Sequence, residues 1–466
     1  MAAPDPAISQ RKMTMKKILL IPALAAALNA ASDSDLAREV ESLKKALQTL
    51  QNEQQSYNET LLEELSSLKE KIETPELAHD ARITGLGISA SKVYHSKEKL
   101  SIGGYGEMYL RKQTAGSGNY DDAHQADNVE TNILRFIPYI GYKFNDWIIM
   151  NTELEWENGG ANPDKEGYNY AIVEFTYLDF LLDPAFNLRV GHVLVPMGNI
   201  NLNHEPTQFP TTDRPTVEKI VIPSTWHTNG IMAYGDVGSW HYQAGLVTAP
   251  DVAQFQQGTF IKGGRGGGRQ NTDDLGAVVR IDYQGIQGLN VGVSGFHAAS
   301  GSRVENAQTH TMTLWDLHAD YRAGGVELRG VVTAGSLQGN DLSYMSTTER
   351  DTTYYNTKVA SGVFGAYVTA AYDIMPMLGS GSTRRLMPFV QFEVLDMDAN
   401  EDAVFDAATA AASQADDQAW NEYVIGLDYF PDPNVVLKGD LKTVDYKSTS
   451  LLEDEQFASF SLGYIF

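Results

Sequence analysis

From Leu100 to Phe466, segments of roughly ten residues alternate apolar and polar side chains, as in 134–144, 147–158 and 274–284. A period of two predicts β-strands that have one apolar and one polar face. The connections alternate between short turns and long loops. About sixteen such strands, an even number, predict an all-β transmembrane antiparallel β-barrel with both ends on the same side of a membrane.

The last predicted strand, FASFSLGYIF, has the cleanest alternation in the chain. Its apolar side chains are Phe460, Leu462, Tyr464 and Phe466, and small residues stand between them. A strand with one apolar face and one face of small or polar residues suits a position between lipid and water. The alternative is an edge strand of a soluble β-sandwich. The motif resembles the C-terminal assembly signal of Gram-negative outer-membrane proteins. This resemblance implies two partners, the lipid bilayer of the outer membrane and its assembly machinery.

The N-terminal part predicts export of the chain. Residues 1–30 contain MKKILLIPALAAALNA, which has two lysines, an apolar run and small residues, and we interpret them as an upstream extension plus a signal peptide. The chain has no cysteine, and a secreted chain without disulfides must rely on packing or on a closed backbone ladder. Downstream of the signal, no stretch of about 20 apolar residues predicts a membrane helix. The predicted barrel covers residues 98–466.

Residues 31–75 have a different pattern, and 76–97 are predicted to be a linker. Apolar residues recur at alternating steps of four and three, and charged residues and glutamines fill the other positions. This heptad spacing predicts an α-helical coiled coil that forms a homo-oligomeric stalk in the periplasm. The alternative is a single amphipathic helix that lies on a domain. The predicted seam consists of Leu36, Val40, Leu43, Leu47 and Leu50.

The charged residues of the chain limit which functions are possible. The formal net charge of −25 excludes a nucleic-acid partner, which needs a basic surface. In the segment 147–158, an outward Ile148 and Trp156 would turn Glu153 and Glu155 toward the barrel interior. Basic residues recur at inward positions of other segments, so we expect an interior of both signs. About sixteen strands with a charged interior predict a water-filled channel.

Two long loops are candidates for a constriction of that channel. The first, residues 201–226, is rich in proline, contains Arg214 and is long enough to fold inward. The second places Lys262, Arg265 and Arg269 among glycines, which expose backbone N–H groups to an anion. We therefore expect a local cationic patch in an otherwise acidic protein. The alternative is a flexible exposed loop with ordinary solvated charges.

Three stretches carry a resemblance to a known family. They are 189–230, GRGGGRQ followed by DDLGAVVRIDY, and YVIGLDYFPDPNVVLKGDL, and they resemble the phosphate-selective porin O and P superfamily. The resemblance implies a homotrimeric porin of sixteen strands with an inward-folded third loop, and a coiled coil of three strands. Family members conduct phosphate past ladders of arginine and lysine. Here the basic residues are dispersed and glutamates share the wall, so we expect passive diffusion of small ions and solutes with a modest anion preference.

Enzymatic and metal-binding patterns are weak. The histidines are scattered and none accompanies a nucleophile motif, which predicts a protein that is not an enzyme. The segment DMDANED at 396–402 lacks the glycine and terminal glutamate of a calcium loop, so neither a metal nor a cofactor is predicted. The alternative function is a structural or adhesive barrel whose coiled coil tethers the outer membrane to peptidoglycan.

Overall fold

The computed structural model divides the chain into two units, Met1–Thr74 and Pro75–Phe466. In the first unit, residues 40–52 form a helix, α1, and the seam residues Leu47 and Leu50 are exposed in it. Leu36, the signal peptide and residues 58–75 lie outside the described residues, and the coiled coil stays a prediction. The structure describes residues 38, 40–52, 54, 55, 57, 85–116, 129–159, 171–256, 258–270, 272–301, 309–342, 356–379, 383–402, 404–405, 418–447 and 453–466.

In the second unit, sixteen of the eighteen described strands close into one antiparallel barrel, which confirms the predicted fold class. Each barrel strand pairs with its neighbours in sequence, and the last strand pairs with the first. The other two strands, β12 and β15, form a small separate sheet. The strands are β1 Leu100–Ala115, β2 Val129–Lys143, β3 Ile148–Glu157, β4 Ala171–Asp183, β5 Phe186–Leu194, β6 His227–Val237, β7 Trp240–Thr248, β8 Leu275–Tyr283, β9 Leu289–Ser300, β10 His310–Ala323, β11 Val326–Gln338, β12 Asn356–Lys358, β13 Gly362–Tyr372, β14 Arg385–Asp396, β15 Val404–Phe405, β16 Ala419–Asp432, β17 Val435–Tyr446 and β18 Glu455–Ile465.

The alternation of apolar and polar residues along the sequence matches the alternation of exposed and buried side chains along the strands. Along β8, the outward Val279 and Ile281 are exposed, whereas the inward Arg280 and Asp282 are buried. This is the pattern of a barrel whose apolar outer face meets lipid and whose polar residues point inward. Among the described residues, no helix is both long and apolar enough to cross a bilayer.

Strand β18 closes the barrel against β1, with pairs that run from Tyr105–Ile465 to Ala115–Gln456. Phe460 and Phe466 are exposed on the outer face. The backbone of Phe466 exchanges hydrogen bonds of 2.8 and 3.0 Å with Gly104. The predicted strand is therefore present, and its role as an assembly signal stays a prediction.

The segment before β1 lies inside the barrel, against its wall. Residues 85–97, part of the predicted linker, include a short helix, α2 (Lys92–His95). The inward side chain of Asn151 on β3 donates a hydrogen bond to Ala90 O at 2.8 Å, and the Tyr94 hydroxyl donates one to Asp179 on β4 at 2.5 Å. These contacts place the segment against the inner face of the first strands.

Candidate functional site: the third loop inside the barrel

The loop between β5 and β6, residues 195–226, is the third long connection, and we call it the third loop. Its base is closed by Asn201, whose amide donates to Val195 O and Trp226 O while its own oxygen accepts from Trp226 N at 2.6 Å. Nearly all of the loop is buried. It therefore folds inward as a compact unit rather than extending into solvent.

The first part of the third loop is held by buried carboxylates. Gly198 N donates to Asp316 on β10 at 3.0 Å, and Arg280 on β8 donates to Gly198 O. Gly198 has φ +65°, and a Cβ there would lie 2.3 Å from the carboxylate of Glu218. Only glycine meets both requirements, because it tolerates positive φ and has no Cβ.

Glu218, in a π-helical turn (Val217–Val221), is the central anchor of the loop. Its carboxylate accepts from Ile200 N at 2.6 Å and from the Tyr367 hydroxyl on β13 at 2.5 Å. Burial raises the pKa of Glu218, and these two donors oppose the shift. The anchor thus ties two parts of the loop to the far wall.

The middle of the loop reaches the last strands. Lys438 on β17 is buried and donates to Phe209 O at 2.7 Å and Thr211 O at 3.0 Å. Asp440, also on β17, accepts from Thr212 N at 2.6 Å. Together with the contacts to β8, β10 and β13, these bonds stretch the third loop across the barrel interior.

A cluster of charges lies at the partly exposed edge of the third loop. Asp213 pairs with Arg111 on β1, and Lys219 and Lys442 lie near it. Burial would raise the pKa of Asp213, but these three cations outweigh burial and hold that pKa well below its usual range. Lys219 is exposed, whereas Lys442 also pairs with Glu422 at 2.6 Å. We call Arg111, Asp213, Lys219 and Lys442 the edge cluster.

Arg214 follows the edge cluster in sequence and is 9% exposed. Its Nε and one Nη atom are buried without a hydrogen-bond partner. It is a predicted site residue, and the structure places it beside Asp213. Arg111 and Lys442 are at inward positions of the alternation along β1 and β17, whereas Lys219 lies in an irregular loop, where alternation gives no signal.

The other predicted site residues occupy different places. Glu153 and Glu155 point inward from β3 and are buried, so they do not line open space. In the loop between β7 and β8, the Arg265 guanidinium donates to Ser224 O and Thr225 O of the third loop at 2.9 and 3.1 Å. Lys262 is half-buried and Arg269 is exposed in the same loop. The structure therefore brings Arg265 to the third loop as a tether.

Charges on the barrel wall are of both signs, as expected, but most are paired with each other. Such pairs neutralise the bases that the sequence suggested would face water. Among the described residues, the cations in these pairs are not free to meet a solute. Arginine and lysine pairs with both partners in barrel strands are Arg135–Glu107, Arg189–Asp179, Arg280–Asp282, Arg322–Asp320, Arg329–Asp320, Arg385–Glu327 and Lys442–Glu422.

Glu205 connects the third loop to the segment before β1. Its carboxylate accepts from Ser89 N at 2.8 Å and Ala90 N at 3.0 Å. Burial raises its pKa to about 7, although these backbone donors and His204 lower it. The two inserted segments are therefore packed against each other as well as against the wall.

Comparison with known proteins shows a clear relative. An uncharacterized protein of Aquifex aeolicus (strain VF5) is 31% identical over 373 residues, which cover 78% of this chain and 80% of that protein. The chain belongs to the same family as this Aquifex protein. No known family profile matches the chain. Membership of the phosphate-selective superfamily therefore stays a prediction.

Among solved structures, the family's fold is shared by the outer membrane channel DcaP of Acinetobacter baumannii. That alignment has a TM-score of 0.52 and 12% identity, and it covers 82% of this chain and all (100%) of that one. An anion-selective porin from Comamonas acidovorans aligns with a TM-score of 0.47 and 14% identity over 79% of this chain and 99% of that one. At this identity the DcaP likeness shows the fold alone, a porin-type barrel.

Proposed function

We propose that this protein is an outer-membrane porin that passes small ions and solutes by passive diffusion, and that it is not an enzyme. The observation that carries the proposal is the inward third loop, which narrows a closed sixteen-stranded barrel and presents Lys219 of the edge cluster to solvent. A loop that narrows a barrel without belonging to its wall is suited to set the size and charge of an aperture.

We further propose a modest anion preference, set at the edge cluster. Three cations surround Asp213, but Lys442 is paired with Glu422 and also interacts with Glu393, and Arg111 also interacts with Asp440. The proposed preference therefore depends on Lys219 and not on the net charge of the group. Charges beyond about 8 Å are largely screened at physiological salt, so the acidic loops contribute little at the narrowest point. Exposed Lys219 is the cation best placed to meet a passing ion.

Planar-bilayer recordings of the purified protein test both statements. We expect stepwise conductance that grows with salt, and a reversal potential in a salt gradient that favours anions. Lys219→Ala should move that potential toward cations, whereas Lys112→Ala, which removes the same charge from an exposed outward position of β1, should not. A folded barrel without conductance would refute the channel.

The patch in the fourth long connection, between β7 and β8, is a competing selectivity element. Replacing Arg265 and Arg269 together by alanine should also move the reversal potential toward cations if that patch lies at the aperture. If only Lys219→Ala has an effect, the aperture is at the third loop. If only the double variant has one, the patch sets the selectivity.

We also propose that α1 belongs to a trimeric periplasmic coiled coil. The exposed seam residues Leu47 and Leu50 support this, because a heptad seam needs partner helices to bury it. Leu43→Asp with Leu50→Asp should weaken the trimer on native gels, and the control Gln48→Asp with Asn52→Asp, at outward positions, should not. Equal trimer stability in both double variants would assign oligomerisation to the barrel.

A structural barrel that tethers the outer membrane to peptidoglycan is the second candidate. The dense packing of the third loop and residues 85–97 inside the barrel favours it, since a filled barrel passes little. A peptidoglycan pull-down with the full chain and with a variant that lacks residues 31–75 separates the candidates. Binding lost on deletion, combined with absent conductance, supports the tether, and conductance without binding supports the porin.

A further inference from the structure

Three buried side chains from three elements converge beneath the third loop. Glu153 comes from β3, Glu174 from β4 and His204 from the third loop, and each is at most 2% exposed. One ligand atom from each residue lies within 4.8 Å of the other two. His204 Nε2 lies 3.2 Å from Glu153 Oε1.

A β-bulge turns Glu174 into this cluster. Glu153 is paired with Phe175 and Leu154 with Val173, so Glu174 is the extra residue of β4. As a result Glu174 and Phe175, although adjacent, are both fully buried. Bulges of this kind re-aim single side chains and are frequent beside functional sites.

The orientation of His204 presents a lone pair to the carboxylates. His204 Nδ1 lies 3.0 Å from Asn201 O, and because a carbonyl oxygen only accepts, Nδ1 carries the hydrogen of that bond. In the neutral ring, Nε2 is then an acceptor that faces Glu153. A backbone carbonyl that fixes the tautomer in this way is typical of metal-ligating histidines.

The carboxylates are poorly supplied with donors. Neither oxygen of Glu174, nor Oε2 of Glu153, has a hydrogen bond of regular geometry, although the Tyr139 hydroxyl lies close to Glu153 and the Thr225 hydroxyl lies close to Glu174. Among the described residues, no lysine or arginine forms an ion pair with either group. Two buried carboxylates facing an imidazole lone pair need either bound protons or a compensating cation, since burying unpaired charge is costly, and a metal ion would supply that cation.

We propose that Glu153, Glu174 and His204 bind a divalent first-row transition metal such as Zn²⁺ or Mn²⁺. One imidazole and two carboxylates suit these ions, whereas Ca²⁺ and Mg²⁺ prefer oxygen ligands alone. Three protein ligands leave room for water. The ring of Tyr105 lies 5.9 Å from that of His204, and its buried hydroxyl has no hydrogen-bond partner. The metal would fasten the third loop to β3 and β4, whether or not the barrel conducts.

Metal titration of the full-length protein in detergent, after chelation and dialysis, tests this proposal. With Ca²⁺ in excess to occupy oxygen-only sites on acidic loops, we expect about one Zn²⁺ or Mn²⁺ per chain. Co²⁺ should give the visible absorption of a site with a nitrogen ligand. Metal should also raise the thermal unfolding temperature.

Glu174→Gln and His204→Gln should each lower the affinity by more than about tenfold, because each removes a direct ligand. The matched control is Glu157→Gln, which changes a carboxylate at the end of β3, the strand that carries Glu153. Heat-modifiable migration on gels verifies that each variant is folded, and Glu174→Asp keeps a carboxylate if Glu174→Gln does not fold. Absent stoichiometric binding, or equal affinity in Glu174→Gln, His204→Gln and the control, would overturn the proposal.

Discussion

The substitution Tyr367→Phe tests the hydrogen bond to Glu218, the anchor of the third loop. The phenol hydroxyl of Tyr367 donates to the buried carboxylate of Glu218 at 2.5 Å, and Ile200 N supplies the other short bond. Phenylalanine keeps the ring and its packing and removes only this donor. A hydrogen bond to a charged group contributes about 1.5–3 kcal/mol, so we expect the free energy of unfolding to fall by about that amount.

The assay is urea unfolding in detergent micelles, followed by tryptophan fluorescence. At about 1.4 kcal/mol per factor of ten, the expected loss is roughly a 10- to 150-fold change in the unfolding equilibrium. Tyr372→Phe, on the exposed face of the same strand, should change it by less than about 0.5 kcal/mol. If the two variants have the same free energy of unfolding, the Tyr367 hydroxyl does not hold the loop, and Glu218 is not its anchor.

Three further variants test other contacts of the third loop by the same unfolding assay. Lys438→Met removes a buried cation from two loop carbonyls and from the ring of Phe209, 4.1 Å from the ammonium, and should cost about 3–5 kcal/mol. Gly198→Ala should cost more than about 1 kcal/mol, because its positive φ and the nearby Glu218 leave no room for a Cβ; a neutral result would mean that the turn relaxes. Asp213→Asn should be destabilising at pH 7. The folded-state pKa of Asp213 is depressed, so its stabilisation is complete above about pH 4 and is lost as the pH falls. If the variant remains less stable by the same amount at low pH, this pH dependence is contradicted.

The strands of the barrel were predictable because each meets lipid on one side and polar groups on the other. That environment imposes a strict period of two on the sequence, which gave the number of barrel strands and the inward direction of Glu153 and Glu155. The short turns were predictable as well, because they separate these strands in the sequence. Pairing between wall charges was not predictable, since alternation specifies a face but not a partner.

Irregular backbone explains what the sequence did not reveal. Strict alternation from Tyr177 and Phe175 would have put Glu174 on the lipid face, and a glutamate there is itself a signal of a register change. His204 carried no such signal, because its position depends on how the third loop folds. The apolar residues Phe255 and Phe260 of the fourth long connection, both buried, were a further sign that the loops pack inward.

The segment ahead of β1 contributes to the closure of the barrel. The Ser89 hydroxyl donates to Phe466 O at 2.7 Å and contacts Gly104, so it lies where the first and last strands meet. Separation of β1 from β18 would therefore break the hydrogen bonds of Ser89 as well as those between the two strands. The inserted segment thus stabilises the closed cylinder from within, at the one pair of strands that are far apart in sequence.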